Sequence, residues 1–216
     1  IYTHPGFLRE CVGTLPKDSF NLVFYAADIV RGANGKPWVI HDRTQAPSGT
    51  GYALENRMVM SRVMPDVLAS YSIRKLGTYI HALRQFLTQI SPRKQDNPRI
   101  VVLTPGPLNE TYFEHAYLAS QLGYSLVQGD DLIVRDEIVW LKTLNGLERI
   151  DVIIRRVDDV FCDPVELRED SKLGVPGLLQ AIRKRNVIVC NPLGSGILEN
   201  PGIMAFLPSL CRFFLQ

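Results

Sequence analysis

The chain has 216 residues, 46% hydrophobic and 21% charged, with a formal net charge of +2. This balance is ordinary for a globular protein of one large or two small domains. It carries no basic footprint for nucleic acid and no apolar run near the roughly 20 residues that span a bilayer.

The first residues, Ile1-Tyr2-Thr3-His4-Pro5, lack both the basic region and the apolar core of a signal peptide. The absence of an initiating Met fits an excised segment. Cys11, Cys162, Cys190 and Cys211 are scattered, which suits free, buried thiols in a reducing cytosol. The expected setting is therefore cytoplasmic, with neither a membrane nor a nucleic-acid partner.

Residues 1–19 read as an irregular entry. Residues 20–30, rich in Val, Phe, Tyr and Leu, suit a strand, and residues 37–41 return as its partner. Residues 51–62 form a candidate helix, with Leu54, Met58 and Val59 on one side. Residues 72–90 place Ile73, Leu76, Ile80, Leu83 and Leu87 at helical spacing. The polar stretch 92–98 is the candidate linker between two parts, 1–91 and 99–216.

Beyond it the texture alternates. Residues 99–103 read as a strand. Asn109 is a candidate N-cap for a helix over 112–122, which Gly123 ends. A strand over 124–127 follows, then a hairpin of 132–134 and 138–142 across Asp136-Glu137, and a strand over 150–155. Residues 177–185 read as helix, 187–190 as strand, and Gly196 onward as mixed helix. Strands alternating with helices imply an α/β fold with a mostly parallel sheet.

Four places carry possible chemistry. Asp28 and Asp42 flank a strand–turn–strand, and two carboxylates on one face can hold Mg²⁺ against phosphate oxygens. The turn decides whether they share a face. A two-residue Asn34-Gly35 turn opposes Asp28 to His41 and separates the carboxylates. A three-residue loop, Ala33-Asn34-Gly35, opposes Asp28 to Ile40 and puts Asp28 and Asp42 together. The plain alternative is two carboxylates solvating strand ends.

Ser48-Gly49-Thr50-Gly51, leading into Asn56 and Arg57, offers small residues before a helix, whose exposed N–H groups attract phosphate. Its plain alternative is an ordinary loop. Arg155-Arg156-Val157-Asp158-Asp159 closes an apolar strand, where an Arg fork suits a carboxylate or phosphate; an Arg–Asp ion pair that closes the strand end is an equal reading. Thr104-Pro105-Gly106-Pro107 and Asn191-Pro192-Leu193-Gly194-Ser195-Gly196 are Gly-bearing strand ends, or simply turns. His115 sits mid-helix beside Glu114 and reads as structural.

The string Asp42 to Arg57, DRTQAPSGTGYALENR, resembles the circularly permuted ATP-grasp family of bacteria, in its type 2. The resemblance continues at residues 104–115, 155–164 and 191–199 and covers essentially the whole chain. Ordinary ATP-grasp ligases carry an Asp, a hairpin, then Glu-x-Asn-x-x-Pro-Gly, so Asp42 stands for the Glu and Thr44 for the Asn, both departures from that pattern. The resemblance implies a permuted ATP-grasp hairpin and helix segment followed by a Rossmann-like lobe. It also implies ATP and Mg²⁺ as cofactors and ATP-dependent joining of a carboxylate to an amine through an acyl phosphate.

On that reading Asp28, Asp42 and Thr44 hold metal. Ser48, Gly49, Gly51, Asn56 and Arg57 sit near the nucleotide phosphates, and Arg155, Arg156 and Asp158 line the acceptor side. The substrates are small molecules or peptides. Full-length members are much longer, so the resemblance implies a fragment whose lid comes from the rest of the polypeptide. A scaffold that kept the fold and lost the chemistry is the alternative. If the shared-metal reading holds, the backbone register shows a three-residue loop, Gly35 at positive φ, and both carboxylates on one face.

Overall fold

The computed structural model describes residues 1–15 and 22–215. After a 3-10 turn at Arg9–Cys11, β1 (Ala26–Arg31) and β2 (Pro37–Arg43) form an antiparallel pair. The beginning of the strand expected over 20–30 lies outside the described residues. The turn is the three-residue loop: the Gly32 amide donates to Lys36 O and the Gly35 amide to Gly32 O, each at 2.9 Å, with Gly35 at φ 77°. Arg31, Val30 and Ile29 accordingly oppose Pro37, Trp38 and Val39.

Helices α1 (Thr50–Val63), α2 (Pro65–Ser70) and α3 (Gly77–Ile90) follow. The 72–90 helix starts late and α2 is an addition. Pro65 opens a helix of its own, and residues 71–76 turn the chain back, with Arg74 O accepting from Arg57 Nη1. The stretch 92–98 is pinned to the sheet. Arg93 grips the fully buried Asp151 with two bonds of 2.6 and 2.8 Å, and Gln95 Nε2 and the Arg99 amide fill its remaining acceptor positions.

The second part is a mixed α/β arrangement. Strands β3 (Ile100–Leu103), β4 (Ser125–Val127), β8 (Val152–Arg155) and β9 (Ile188–Cys190) make a parallel sheet in the order β4-β3-β8-β9. Between β4 and β8 lies an antiparallel meander, β5 (Leu132–Arg135), β6 (Ile138–Thr143) and β7 (Gly146–Arg149). Its first turn is the expected Asp136-Glu137 pair, both at positive φ, 52° and 62°, as a tight two-residue hairpin requires. The third strand, β7, was not anticipated. Helix α4 (Tyr112–Leu122) ends on Gly123 in the left-handed conformation. Its cap is Thr111; Asn109 acts two residues earlier, accepting from the Thr111 amide and hydroxyl. Helix α5 (Leu178–Arg183) precedes β9, and the chain closes with α6 (Pro201–Met204) and α7 (Leu207–Phe214).

Both faces of the parallel sheet are buried, as its near-continuous Val, Ile and Leu strands demand. Ile100, Val102, Val152 and Ile154 pack against Phe24, Leu83 and Leu87 of the first part and Leu118 and Leu122 of α4. Val101, Leu103, Ile153 and Val189 pack against α5 and the meander residues Leu132, Val139 and Leu141. No helix among the described residues is long and apolar enough to cross a membrane.

Cys11, Cys162 and Cys190 are buried and Cys211 is exposed. Burial is the largest cause that pushes the three buried thiols up to about 12. A thiol reagent at neutral pH should therefore modify Cys211 alone in the folded chain and all four thiols after denaturation. Rapid native labelling of any of the other three, read by peptide mass mapping, would contradict this packing.

Candidate functional site

The expected sharing of one face by Asp28 and Asp42 fails one step beyond the turn. Ile40 bulges out of β2, so Asp28 opposes His41 and Asp42 opposes Ala27. A single extra residue reverses the alternation of faces. The two carboxylates consequently point to opposite sides. Asp28 receives Arg43 in a two-pronged pair, Nε to Oδ1 at 3.1 Å and Nη2 to Oδ2 at 2.7 Å, which holds its carboxyl below the usual range. Asp42 Oδ1 accepts from the Tyr25 hydroxyl at 2.6 Å, while its Oδ2 is buried without a partner among the described residues.

Thr44 is buried and fully engaged. Its amide donates to Glu199 Oε1 at 2.6 Å, its hydroxyl donates to Ser195 O at 2.8 Å, and its carbonyl accepts from Asn191 Nδ2 and Ser195 Oγ. The three residues expected to hold a metal therefore do not converge. No group of three or more His, Cys, Asp or Glu among the described residues is placed to hold an ion.

The amides before α1 are likewise occupied. Glu114 of α4, only 1% exposed, accepts from the Gly49 amide at 2.6 Å and the Gly51 amide at 2.9 Å through Oε1. This carboxylate supplies the charge that the helix N-terminus attracts. Gly51 permits the approach, since a Cβ there would stand 2.7 Å from Glu114 Cγ. Asn56 is exposed on α1, and Arg57 reaches back to Arg74 O. The donors expected for a Mg²⁺–nucleotide site thus do not fit that group within these residues.

The two arginines at the carboxyl end of β8 bond to neighbouring main-chain and hydroxyl groups. Arg155, 1% exposed, donates from Nε to Asn191 O at 2.7 Å, from Nη1 to Val157 O, and from Nη2 to Pro192 O and Ser195 Oγ. Arg156 donates from Nη2 to Ala46 O, Pro47 O and Ser48 Oγ, and burial lowers its pKa despite the nearby Glu114. Neither forms an ion pair among the described residues, so both readings of this segment give way to arginines that bind main-chain carbonyls. Asn191 completes the clasp. Its Oδ1 accepts from the Val23 and Phe24 amides, both at 2.9 Å, and its Nδ2 donates to Phe24 O and Thr44 O, both at 2.7 Å.

What this clasp builds is a polar cavity of about 340 Å³, lined by Arg43, Gln45–Ser48, Asp158 and Glu199. It lies where the segment after β2 meets the carboxyl end of β8, the edge at which ligands collect in open α/β sheets. Of the expected site residues it gathers Ser48 and Asp158. Asp158 is exposed; its main-chain carbonyl accepts from the Phe161 amide and the Cys162 thiol, while its carboxylate has neither a hydrogen bond nor an ion pair among the described residues. Loss of surrounding water raises its pKa, and the Asp159 and Glu199 carboxylates add to this against the pull of Arg155. Arg43 and Glu199 were missed, although Arg43 adjoins Asp42 and Glu199 ends the 191–199 block.

With the geometry in place, comparison with known proteins gives the family. The model of circularly permuted ATP-grasp type 2 matches residues 1–216. The chain belongs to that family. An uncharacterised protein of Mycobacterium tuberculosis strain H37Rv is 44% identical over 216 residues, all of this chain and 24% of the relative. An uncharacterised Synechocystis protein is 40% identical over 211 residues, 98% of this chain and 44% of the relative. A second M. tuberculosis H37Rv protein is 37% identical over 210 residues, 97% and 38% respectively. The chain thus spans from about a quarter to less than half of these relatives. The permuted ATP-grasp assignment agrees with the fold: an antiparallel hairpin and helices, then a parallel α/β sheet.

His115, beside the cap residue Glu114, is buried between two threonines, with Nδ1 2.9 Å from Thr104 Oγ1 and Nε2 3.0 Å from Thr111 Oγ1. The Thr111 hydroxyl gives its proton to Asn109 Oδ1, which assigns the proton of a neutral His115 to Nε2. Burial first, then Arg156, lowers its pKa to about 4 from 6.5. Above pH 6.5 both folded and unfolded forms are neutral. As pH falls from 6.5 to 4, the unfolded form takes up a proton that the folded form refuses. Stability should therefore drop over that window, by about 3 kcal/mol in all. Chemical denaturation across a pH series should show this component in the wild type. His115→Gln should be less stable at pH 7 but lack it; an unchanged slope in the variant would assign the loss to other groups.

Proposed function

We propose that this chain forms the substrate side of an ATP-dependent carboxylate–amine ligase, and that the remainder of the full-length protein supplies the nucleotide and Mg²⁺ site. The carrying observation is the polar cavity at the carboxyl edge of β8. Buried arginines and a buried asparagine hold its walls, while its own charged groups are the exposed Asp158 and Arg43 and the half-buried Glu199. Such separation of fixed framework from available charge is what orienting a small polar substrate requires. The division into 1–91 and 99–216 belongs to the same proposal, with the cavity at the join.

The resemblance supplies the reaction class, and the length of the relatives leaves room for the missing donors. On this reading Arg155 and Arg156 position the walls and Asp158 meets the substrate. Asp28, Asp42 and Thr44 serve the hairpin and its attachment. A scaffold function is the second reading, and the divergence of Asp28 from Asp42 is the observation that favours it.

Two measurements test the proposal. The full-length protein should release phosphate from ATP when offered both a carboxylate and an amine, screened across amino acids and peptides; silence across the panel favours the scaffold. The 216-residue chain alone should give no saturable heat with Mg-ATP in calorimetry. Tight binding would place the nucleotide pocket within these residues.

A further inference from the structure

We propose that the cavity lined by Arg43, Ser48, Asp158 and Glu199 is the binding site of a small zwitterion, a free α-amino acid. Its ammonium group lies against Asp158 and Glu199, and its carboxylate lies on the open edge of Arg43. This deepens the reading of the chain as the substrate side of a ligase and rests on it.

Arg43 presents Nε and Nη2 to Asp28, which leaves Nη1 without a partner among the described residues. A guanidinium has five donors in a fixed fork, so one edge is held and the other is offered to a second carboxylate. Asp28, expected to be a metal ligand, is on this view a positioning residue that aims Arg43. Ser48 Oγ accepts from Arg156 Nη2, so the Ser48 hydroxyl proton remains for an acceptor in the cavity.

On the opposite charge, Glu199 uses Oε1 to accept from the Thr44 and Gln45 amides, at 2.6 and 2.7 Å, and its Oε2 has no partner among the described residues. Neither oxygen of the Asp158 carboxylate has a partner among the described residues; only its main-chain carbonyl is engaged. Two carboxylates facing one cavity repel an anion and draw an ammonium group. A phosphate or dicarboxylate would meet that repulsion, and a simple amine would leave the Arg43 edge unanswered. Only a molecule carrying both charges meets every open group. The cavity, about 340 Å³, is of the size that takes a small molecule. Arg156 fixes the wall at Ala46 and Pro47 by holding their carbonyls.

The test uses the full-length protein and matched probes: amino acids, their N-acetyl derivatives and their C-terminal amides, titrated by calorimetry. At least one free amino acid should bind, and removing either charge should weaken it about 10- to 100-fold, the worth of one hydrogen bond to a charged group. Asp158→Asn should weaken the amino acid yet leave the N-acetyl form as it was. Asp28→Asn should weaken the amino acid more than its amide, which a general loss of structure would not do. Should a variant misfold, the wild-type probe series decides alone. Equal binding of the three probe types overturns the proposal, and so does failure of every amino acid to bind. Phosphate release from ATP is read in parallel. Amino-acid binding without release keeps this site and removes the ligase reading; release driven by substrates lacking one charge does the reverse.

Discussion

The structure depends on the satisfaction of one buried side chain, Asn191. It lies at the carboxyl end of β9, 1% exposed, and all four of its side-chain bonds go to main-chain groups of residues 23, 24 and 44. Its carbonyl in turn takes the Nε of Arg155. A buried amide or guanidinium with an unmet group costs on the order of 1–3 kcal/mol or more. This network is therefore stable only when complete, and completing it requires the segments around residues 24 and 44 to sit against the end of the sheet. Thr44, clamped by Asn191, Ser195 and Glu199, then sets where the chain from Gln45 to Ser48 runs.

The same few residues separate framework from chemistry. Arg155 and Arg156 turn inward and bind carbonyls, Val157 is buried, Asp158 faces out into the cavity, and Asp159 returns inward to accept from the Gly196 amide. A buried guanidinium tolerates this setting because its charge is delocalised and weakly hydrated; Arg155 has every nitrogen bonded, whereas the buried Nε of Arg156 has no partner among the described residues. The outward carboxylate keeps its charge unpaired by the protein. Glu114 makes the parallel choice at α1, where it fills the helix N-terminus from a neighbouring helix and removes it from use by a ligand.

Local features were legible where a short stretch of sequence settles them. The loop at Ala33-Asn34-Gly35, the tight turn at Asp136-Glu137 and the left-handed Gly123 follow from turn chemistry. The parallel sheet follows from short apolar runs alternating with helices. The Ile40 bulge had no such signal. Ile40 continues an apolar run that reads as unbroken strand, and the register shift appears only in the pairing with β1. That shift overturned the shared face of Asp28 and Asp42, although the loop itself was read correctly. Arg155 and Arg156 were misread for a related reason: a strand-end arginine looks available until the carbonyls that surround it are known.

Sequence by itself determined the family and the α/β class, because these rest on local pattern and on strings long enough to be specific. Tertiary structure alone decided which charges are available. Glu114 reaches the Gly49 and Gly51 amides across 65 and 63 residues of chain, and Asn191 reaches Thr44 across 147. No local pattern encodes such pairs. They form because burial leaves each polar group seeking a partner, and the fold decides which partner is within reach.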